Sequence, residues 1–558
     1  MRKLRNYKIL RDIRSKTRQF EITSDMSYLI IYAFLYKYCS DLLKDYFTDL
    51  IADKEMTLDE AFADEDVKQD FKRDAYNMFG YFITGPDFFI DEIMNAKYSG
   101  RFFIFEFVRA FTAHTELAEG SNYERYFRFI FDAVKSEVNL NKFEFEGENH
   151  LIVKEIIYSI SKLDIYEEEF TFQDVFDALC DMKLIRIDQD PDYLNLMMAA
   201  LVNSTRNDFR NIYNPCLNDA SSLISVVGNH TLGLRAYGRC QDKLSYCFCI
   251  VKLFINFFDL DGITIDYASP FEAPNQGREI FDVIISKIPP ITSRTIKRLN
   301  KTQNAELAKR NKEIQLQDML SSTLNIDETS FAEDEELKNT LKTLIDKMEI
   351  KDEQNIHFSE EYMDLNDSEY LFLIHLLDSL NDYGVMVLSM AQSFLFKNSL
   401  TKLRKFLTYE KNCIDAVIAI PDELSRPKKS DVLVVFNKSK RSDDIVFIDM
   451  TNDFDLKPSR KAIPGMFKRN LVLDDKTLFK VVDVYKKRQH VDRFSNAVSM
   501  DEIRKNNFNL SISRYVDTFE GEFVKFEDLK NEKKEITSRI KELNQKIDMM
   551  MDDLGLRF

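Results

Sequence analysis

Eight short runs of β-type residues between residues 211 and 450 constrain the fold of the chain more than any other feature. They occupy residues 211–215, 234–238, 262–268, 281–287, 384–390, 414–420, 430–436 and 444–450. Helical periodicity fills much of the sequence between them, at residues 194–202, 241–258, 371–380 and 399–408. Strands alternating with helices predict an α/β fold built on a doubly wound parallel sheet, which binds ligands beyond the carboxyl ends of its strands.

The sequence before these runs has a different texture. Over residues 1–185, apolar residues recur at three- and four-residue spacing and strand signals are sparse, which predicts an all-helical N-terminal domain. The chain has only 14 glycines in 558 residues, and such a low content favours long helices over tight turns. The whole chain has 46 phenylalanines, and those within residues 1–185 give this domain material for an aromatic-rich core.

Four segments follow from these patterns. After residues 1–185 comes an α/β domain at 186–455, interrupted at 292–365 by a charged insertion with helical periodicity. Residues 456–525 are predicted to form a helical extension, with one helix over 471–488, and the sheet pattern stops at about 451. Residues 526–558 are predicted to form a coiled-coil-type helix, because apolar residues there are spaced by three, four and seven. These apolar residues are Phe526, Leu529, Ile536, Ile540, Leu543, Ile547, Met550 and Leu554.

Composition excludes several classes of protein. Seven scattered cysteines are too few for a disulfide framework, so we expect a reducing, cytoplasmic location. Cys240, Cys247 and Cys249 lie close in sequence, but they lack a second ligand pair, so we expect buried thiols and no metal site. No apolar run reaches the length of a membrane span, and we expect no membrane partner. The net charge of −17 does not exclude nucleic-acid binding, because local basic patches matter more than the sum.

Three segments resemble the modification (M) subunits of type I restriction–modification systems, which are adenine-specific DNA methyltransferases. Residues 372–425 are similar to the family's run of helix, strand, arginine-bearing helix and strand ending in proline. Residues 436–450 continue this likeness, and MDEIRKNNFNLSISRYVD at 500–517 is very like the signature that ends the catalytic domain. The resemblance implies a Rossmann-like methyltransferase sheet, a helical N-terminal domain and a C-terminal helix, with the 292–365 insertion longer than expected.

The resemblance also identifies the counterparts of the cofactor site. The family has a loop of the form D-P-A-C-G-S-G, whose glycines let the backbone approach S-adenosylmethionine. The matching residues here are Asn214, Pro215, Cys216, Leu217, Asn218, Asp219 and Ala220. Asn214 replaces the acidic residue, and Asn218 and Ala220 replace both glycines. We therefore expect no cofactor to bind, or S-adenosylmethionine if the site functions in a divergent form.

Two further cofactor elements are altered. The family's second strand ends in G-x-E, whose carboxylate takes the ribose hydroxyls, but here Cys240 stands at that position. A thiol is a weak acceptor and cannot hold two hydroxyls. The family's Gly-x-aromatic-x-Thr-Pro element closes over the cofactor, and the matching residues 187–193 keep only Pro191.

The catalytic motif is altered as well. In the family, N-P-P-F or N-P-P-Y accepts hydrogens from the adenine amino group and stacks on the flipped base. The strand at 281–287 leads here into Lys287, Ile288, Pro289 and Pro290, so the asparagine position is Lys287 or Ile288 according to register. Neither side chain has an acceptor lone pair.

Three hypotheses remain open on this sequence. The first is a catalytically inactive M-type subunit that clamps DNA and assembles with a specificity subunit, and with other M or R subunits, through the helix at 526–554. Basic clusters at 397–405, 426–429 and 457–487 offer contacts to DNA. The second is an active methyltransferase with divergent motifs, and the third is a protein–protein scaffold or sensor that does not contact DNA.

Overall fold

The structure is a computed structural model. It describes residues 4–17, 23–54, 56–97, 103–139, 148–206, 208–228, 233–257, 260, 262–268, 280–288, 372–373, 376–421, 431–458, 471–518 and 526–553. The predicted insertion at 292–365 lies outside the described residues, as do Pro289 and Pro290.

The region before the sheet is mostly helical, as predicted. Its helices are α1 (Arg5–Thr17), α2 (Ser24–Ile51), α3 (Leu58–Ala63), α4 (Glu65–Phe79), α5 (Ile90–Lys97), α6 (Phe103–His114), α7 (Asn122–Glu137), α8 (Glu148–Ser161), α9 (Phe172–Asp181) and α10 (Asp192–Thr205). The long helix α2 is buried around its whole circumference in its middle turns, which fits its apolar sequence. Phenylalanine and tyrosine rings stack in this core, as at Tyr36–Phe111 and Phe47–Phe71.

One small sheet supplements the helices. β1 (Tyr81–Ile83) pairs antiparallel with β2 (Thr115–Leu117). Each strand has only three residues, which is too short to produce an alternating pattern that sequence periodicity could detect.

A nine-stranded sheet forms the second half of the described chain. Its order is β13-β10-β8-β9-β7-β6-β3-β4-β5. The strands are β3 (Asn211–Asn214), β4 (Arg235–Cys240), β5 (Ile263–Tyr267), β6 (Phe281–Lys287), β7 (Leu380–Ala391), β8 (Ile414–Ala419), β9 (Asp431–Asn437), β10 (Ile445–Asp449) and β13 (Ser495–Val498). All eight predicted strands are therefore present.

The remaining elements lie around and after this sheet. The helices are α11 (Ser221–Val227), α12 (Lys243–Phe257), α13 (Thr401–Lys405), α14 (Asp475–Lys487), α15 (Met500–Lys505) and α16 (Phe526–Asp553). Short 3₁₀ segments occur at Gln392–Leu395, Asn398–Leu400 and Ile512–Arg514, and a π-helical turn at Phe406–Glu410 follows α13. β11 (Leu456–Pro458) and β12 (Leu471–Leu473) form a separate antiparallel pair.

Three details of the sequence prediction were wrong. The sheet is mixed, because β9 runs antiparallel to both β7 and β8. It also continues past residue 451, since β13 pairs antiparallel with β10. The predicted helix over 471–488 begins with the strand β12 and becomes helical only at Asp475, after Asp474 caps the helix with its side chain.

A continuous buried apolar cluster joins the N-terminal helices to one face of the sheet. A second cluster covers the other face and includes residues after β13. Helix α10 packs against the sheet: Asp190, just before it, lies near Lys287 at the carboxyl end of β6, and Arg206, just after it, pairs with Asp282 at the other end of that strand. The predicted boundary at residue 185 stays a prediction.

Candidate functional site

Loop 214–220, which follows β3, begins with a buried asparagine. Asn214 Oδ1 accepts the N–H of Cys216 at 3.0 Å, and Asn214 Nδ2 donates to Ser222 Oγ at 2.8 Å. The side chain is only 1% exposed. Asn214 thus closes an Asx turn and fastens the loop to α11, so its polar atoms are used within the protein.

The loop is also joined to the end of β4. The N–H of Leu217 donates to the carbonyl of Arg239 at 2.8 Å. The Leu217 side chain lies over Gly238, where a Cβ would fall 2.0 Å from Leu217 Cδ1. A side chain at position 238 would therefore displace the leucine that packs on this glycine.

Two polar loop residues bond to groups from distant parts of the chain. Asn218 Nδ2 donates to Asp190 Oδ1 at 2.9 Å. Asp219 accepts the N–H and the hydroxyl of Ser221 at 3.0 and 2.8 Å, and its Oδ2 lies 3.6 Å from Lys252 Nζ. Lys252 also pairs with Asp177 Oδ1 at 2.7 Å. A buried charge cluster thus surrounds the two loop residues.

Two ionisable groups of this cluster, Lys252 and Asp190, have raised pKa values for different reasons. Burial would lower the pKa of Lys252, but the Asp177 and Asp219 carboxylates more than offset this and raise it. Burial and the neighbouring Asp219 carboxylate raise the pKa of Asp190 to about 7, against the hydrogen bond from Asn218. The Asp190 carboxyl therefore ionises at a higher pH than an exposed aspartate does.

Ala220, the last loop residue, has a left-handed backbone with φ +61° and ψ 0°. It is the counterpart of a family glycine, and non-glycine residues adopt this conformation at a cost of roughly 1 kcal/mol. The side chain is 1% exposed. The backbone thus keeps a glycine-type conformation although the residue there is alanine.

Both predicted cysteines of the site are buried. Burial raises the pKa of Cys216 to about 12, although a hydrogen bond with Ser286 opposes the shift. Cys240 is fully buried and donates to Cys249 Sγ at 3.7 Å. All seven cysteines are free and buried, as expected for core thiols.

The structure describes two of the four predicted catalytic counterparts. Lys287 ends β6 and places its Nζ 3.7 Å from Asp431 Oδ2, at the start of β9. The Ile288 N–H donates to the carbonyl of Ser389 at 2.8 Å, which extends the pairing of β6 with β7 by one residue. Lys287 also acts on the Asp190 carboxyl, so the catalytic counterpart and the loop belong to one electrostatic cluster.

Sequence analysis missed three charged members of this cluster, namely Asp177, Asp190 and Lys252. One signal was available for Lys252, since it interrupts the apolar run from Tyr246 to Phe258. A lysine inside such a run needs a buried carboxylate partner. Its partners could not be chosen from sequence, because Asp177 precedes it by 75 residues.

Two further kinds of feature, a metal site and a membrane-spanning helix, are absent from the described ranges. No group of three or more histidine, cysteine, aspartate or glutamate side chains in them has an arrangement suited to a metal ion. In the same ranges, no helix has the length and apolarity needed to cross a membrane.

A family model for N-6 DNA methylases matches residues 341–522. The MpnII type I restriction enzyme methylase subunit of Mycoplasma pneumoniae is 27% identical over 195 residues, which are 34% of each chain. The MjaVII methylase subunit of Methanocaldococcus jannaschii is 31% identical over 151 residues, which are 25% of each chain. The matched stretches thus span about a third or less of these curated relatives.

Solved structures share the fold over most of the chain. The methyltransferase subunit of a type I restriction–modification system from Streptococcus thermophilus has a TM-score of 0.64 at 17% identity, covering 92% of this chain and 99% of that one. A modification subunit of a putative type I restriction enzyme from Vibrio vulnificus has a TM-score of 0.50 at 12% identity, covering 89% and 92%. The resemblance to the modification subunits of type I restriction–modification systems is thus confirmed: an N-6 DNA methylase model and curated methylase subunits match parts of the chain, and a solved methyltransferase subunit shares its fold.

Proposed function

We propose that this M-subunit-like protein has lost methyl transfer and acts as a DNA-clamping and assembly subunit beside a specificity subunit. The observation that carries the proposal is the bonding of loop 214–220 to its own protein. Asn218 bonds to Asp190 and Asp219 bonds to Ser221 beside Lys252, at the positions where the family's loop faces its cofactor.

The residues present do not fit S-adenosylmethionine. Asp190 and Asp219 present two carboxylates next to the loop, and they would repel the carboxylate of the cofactor's methionine part. The buried Cys240 lacks the paired acceptors that would hold the ribose hydroxyls. The Ala220 methyl group and the Asn218 side chain take space that glycines would leave to the cofactor.

Lys287, at the position of the family's catalytic motif, also supports the loss of methyl transfer. Lys287 carries an ammonium group paired with Asp431, and an ammonium has no lone pair to accept a hydrogen from adenine. Its charge would also repel the cofactor's sulfonium. Methyl transfer to an amino group therefore lacks both the acceptor and a compatible charge at this position.

A basic surface just beyond the carboxyl end of β7 supports the DNA-clamping part of the proposal. Lys402, Lys405 and Lys505 are exposed, and among the described residues no carboxylate pairs with them. The exposed Arg504 guanidinium lies 4.6 Å from the ring of Tyr409. Lysine side chains with this freedom suit phosphate contacts, which would give a salt-dependent affinity.

The C-terminal helix supports the assembly part. In α16, Ile536, Ile540, Leu543 and Ile547 are each about half exposed and share one face. An unpaired apolar stripe of this kind is stabilised by a partner helix, which we assign to a specificity-type subunit.

The cofactor part is tested by calorimetry with S-adenosylmethionine on the purified chain and on its complex, with an intact modification subunit as positive control. We expect no heat of binding at cofactor concentrations up to about 1 mM, and no methyl transfer to DNA by the complex. Micromolar binding by either sample would sink the proposal and favour an active methyltransferase with divergent motifs.

The DNA part is tested by measuring affinity across a salt series for the complex. Lys402→Gln with Lys405→Gln should reduce the log–log salt slope by roughly 1 to 2, because each lost phosphate contact contributes about 0.9. Lys54→Gln with Lys183→Gln, two exposed lysines of the helical region, is the matched control. If the complex does not bind DNA even at low salt, the protein is a scaffold without DNA contact.

A further inference from the structure

Lys252 is a buried cation that joins three separate parts of the chain. It lies in the middle of α12 and is 3% exposed. Its Nζ donates to Asp177 Oδ1 of α9 at 2.7 Å and to Ser221 Oγ of α11 at 2.7 Å, and it lies 3.6 Å from Asp219 Oδ2. The ammonium group thus connects a helix of the N-terminal region to the loop after β3.

A second contact connects the same two regions. Asn218 Nδ2 donates to Asp190 Oδ1, and Asp190 lies in the segment between α9 and α10. Asn218 therefore bonds to a charged group of the α9–α10 region. Its neighbour Asp219 pairs with Lys252 of α12, which also bonds to Asp177 of α9. Buried contacts of this kind are sensitive to the loss of one partner, because the other is left uncompensated.

We infer that these contacts, the loop latch, replace a bound cofactor as the link between the α9–α10 region and loop 214–220. The latch consists of the two bonded sets Asp177–Lys252–Asp219 and Asn218–Asp190. It keeps the α9–α10 region against loop 214–220 when no small molecule is bound. The inference rests on the proposed loss of cofactor binding and adds the residues that take over the cofactor's structural role.

The charges of the latch explain why its parts depend on one another. The carboxyl of Asp190 interacts with Asp219, Lys287 and Lys252, and the carboxylates of Asp177 and Asp219 face the ammonium group of Lys252. Removing this ammonium leaves like charges buried together, and they would then separate by moving α9 and the loop apart. Opening should therefore be local to these segments and leave the opposite half of the sheet closed.

The test is hydrogen–deuterium exchange of the full chain, comparing wild type with Lys252→Met. We expect the amides of α9 and α11 to exchange at least tenfold faster in the variant, while β8 and β10 keep their wild-type rates. Lys243→Met is the matched control on the same helix, since Lys243 forms a partly exposed pair with Glu137. Unchanged exchange in α9 and α11 would overturn the latch.

A second variant keeps the inference testable if Lys252→Met fails to fold. The combination of Lys252→Met with Asp177→Asn and Asp219→Asn removes the charge conflict together with the Asp177–Lys252–Asp219 set of the latch. It should fold and still exchange faster than wild type in α9 and α11. Wild-type exchange in this variant would show that apolar packing alone holds the two regions together, which contradicts the latch.

Adding 1 mM S-adenosylmethionine to each sample separates this inference from the proposed function. Slower exchange of α11 in the wild type on addition would refute the loss of cofactor binding, on which the latch rests. No effect of the cofactor combined with no effect of Lys252→Met would refute the latch alone.

Discussion

The two halves of the large sheet differ in how they use their polar groups. In the half formed by β3, β4 and β6, the loop that would serve a ligand bonds to the protein itself. In the half formed by β7 to β10, the polar groups fasten the end of the catalytic-type domain to the sheet, as the family signature at 500–517 implies. The family match covers residues 341–522, and loop 214–220 lies outside it. The residues that the family model matches thus lie in the half of the sheet whose polar groups fasten chain segments together.

Arg404 shows what the recognisable half requires. Its guanidinium is 1% exposed, and it donates to the carbonyls of Phe508, Phe394 and Lys397 at 2.6, 3.0 and 2.9 Å. A further N–H donates to Thr401 Oγ1 at 3.2 Å. One side chain therefore joins the segment after β7, helix α13 and the signature segment.

The largest effect should come from Arg404→Met. It leaves three carbonyls, one in a buried and two in partly buried hydrogen bonds, without their charged donor, so we expect the free energy of unfolding to fall by about 3–5 kcal/mol. Urea denaturation followed by circular dichroism measures it. Lys402→Met, an exposed residue on the same helix, should change stability by less than about 0.5 kcal/mol. A loss below about 1 kcal/mol at Arg404 would mean that the signature segment is held by apolar packing instead.

The next largest effect on stability concerns Asp190, which lies beside the half of the sheet formed by β3, β4 and β6. Its folded pKa is about 7 and its ordinary value is 3.8. Between these two pH values the folded chain keeps a proton that the unfolded chain has lost, so this group reduces stability as the pH rises through that window. The charged groups that face it are Asp219, Lys252 and Lys287.

Asp190→Asn keeps the acceptor for Asn218 and removes the titration. At pH 8 the variant should be more stable than wild type by about 2–4 kcal/mol, and the difference should shrink toward zero as the pH falls to about 4. Chemical denaturation at several pH values measures this difference. Asp188→Asn, at an exposed position two residues earlier, should follow the wild-type curve. A variant that is less stable than wild type at pH 8 would show that the ionised carboxylate is favourably paired.

A smaller effect on stability is expected at Ala220, where the substitution changes the strain of the backbone. Ala220→Gly should stabilise the chain by about 0.5–1 kcal/mol, because glycine adopts φ +61° without the steric cost. The control Ala199→Gly, inside α10, should destabilise it by about 1 kcal/mol. Thermal unfolding of both variants gives the comparison. Loss of stability at both positions would indicate that the buried methyl group of Ala220 outweighs its backbone strain.

Sequence periodicity predicted every apolar strand of the large sheet. It did not predict the polar strand β13 or the direction of β9, which depend on the strands they pair with. β13 reads Ser-Asn-Ala-Val and becomes a strand only through its pairing with β10. The direction of β9 follows from the eleven residues between β8 and β9, which are too few for a parallel crossover with a helix. Loop 214–220 was identified by its altered residues, whereas nothing in the sequence indicated that Asp190, in the segment 187–193, and Lys252, in α12, are its partners.

The smallest effect on the stability of the chain is expected in α16, whose apolar stripe is about half exposed. Ile540→Ser with Leu543→Ser should leave the free energy of unfolding within about 0.5 kcal/mol, because both side chains are already about half exposed. The same pair should weaken binding to the specificity-type partner at least tenfold, since the stripe would then lose two of its apolar contacts. Lys541→Ser with Glu542→Ser lowers helix propensity similarly on the other face and should leave binding unchanged. Sedimentation of the chain alone and with its partner distinguishes these results. A clear loss of stability in the free chain would mean that the stripe packs within its own chain, and assembly would then need a different surface.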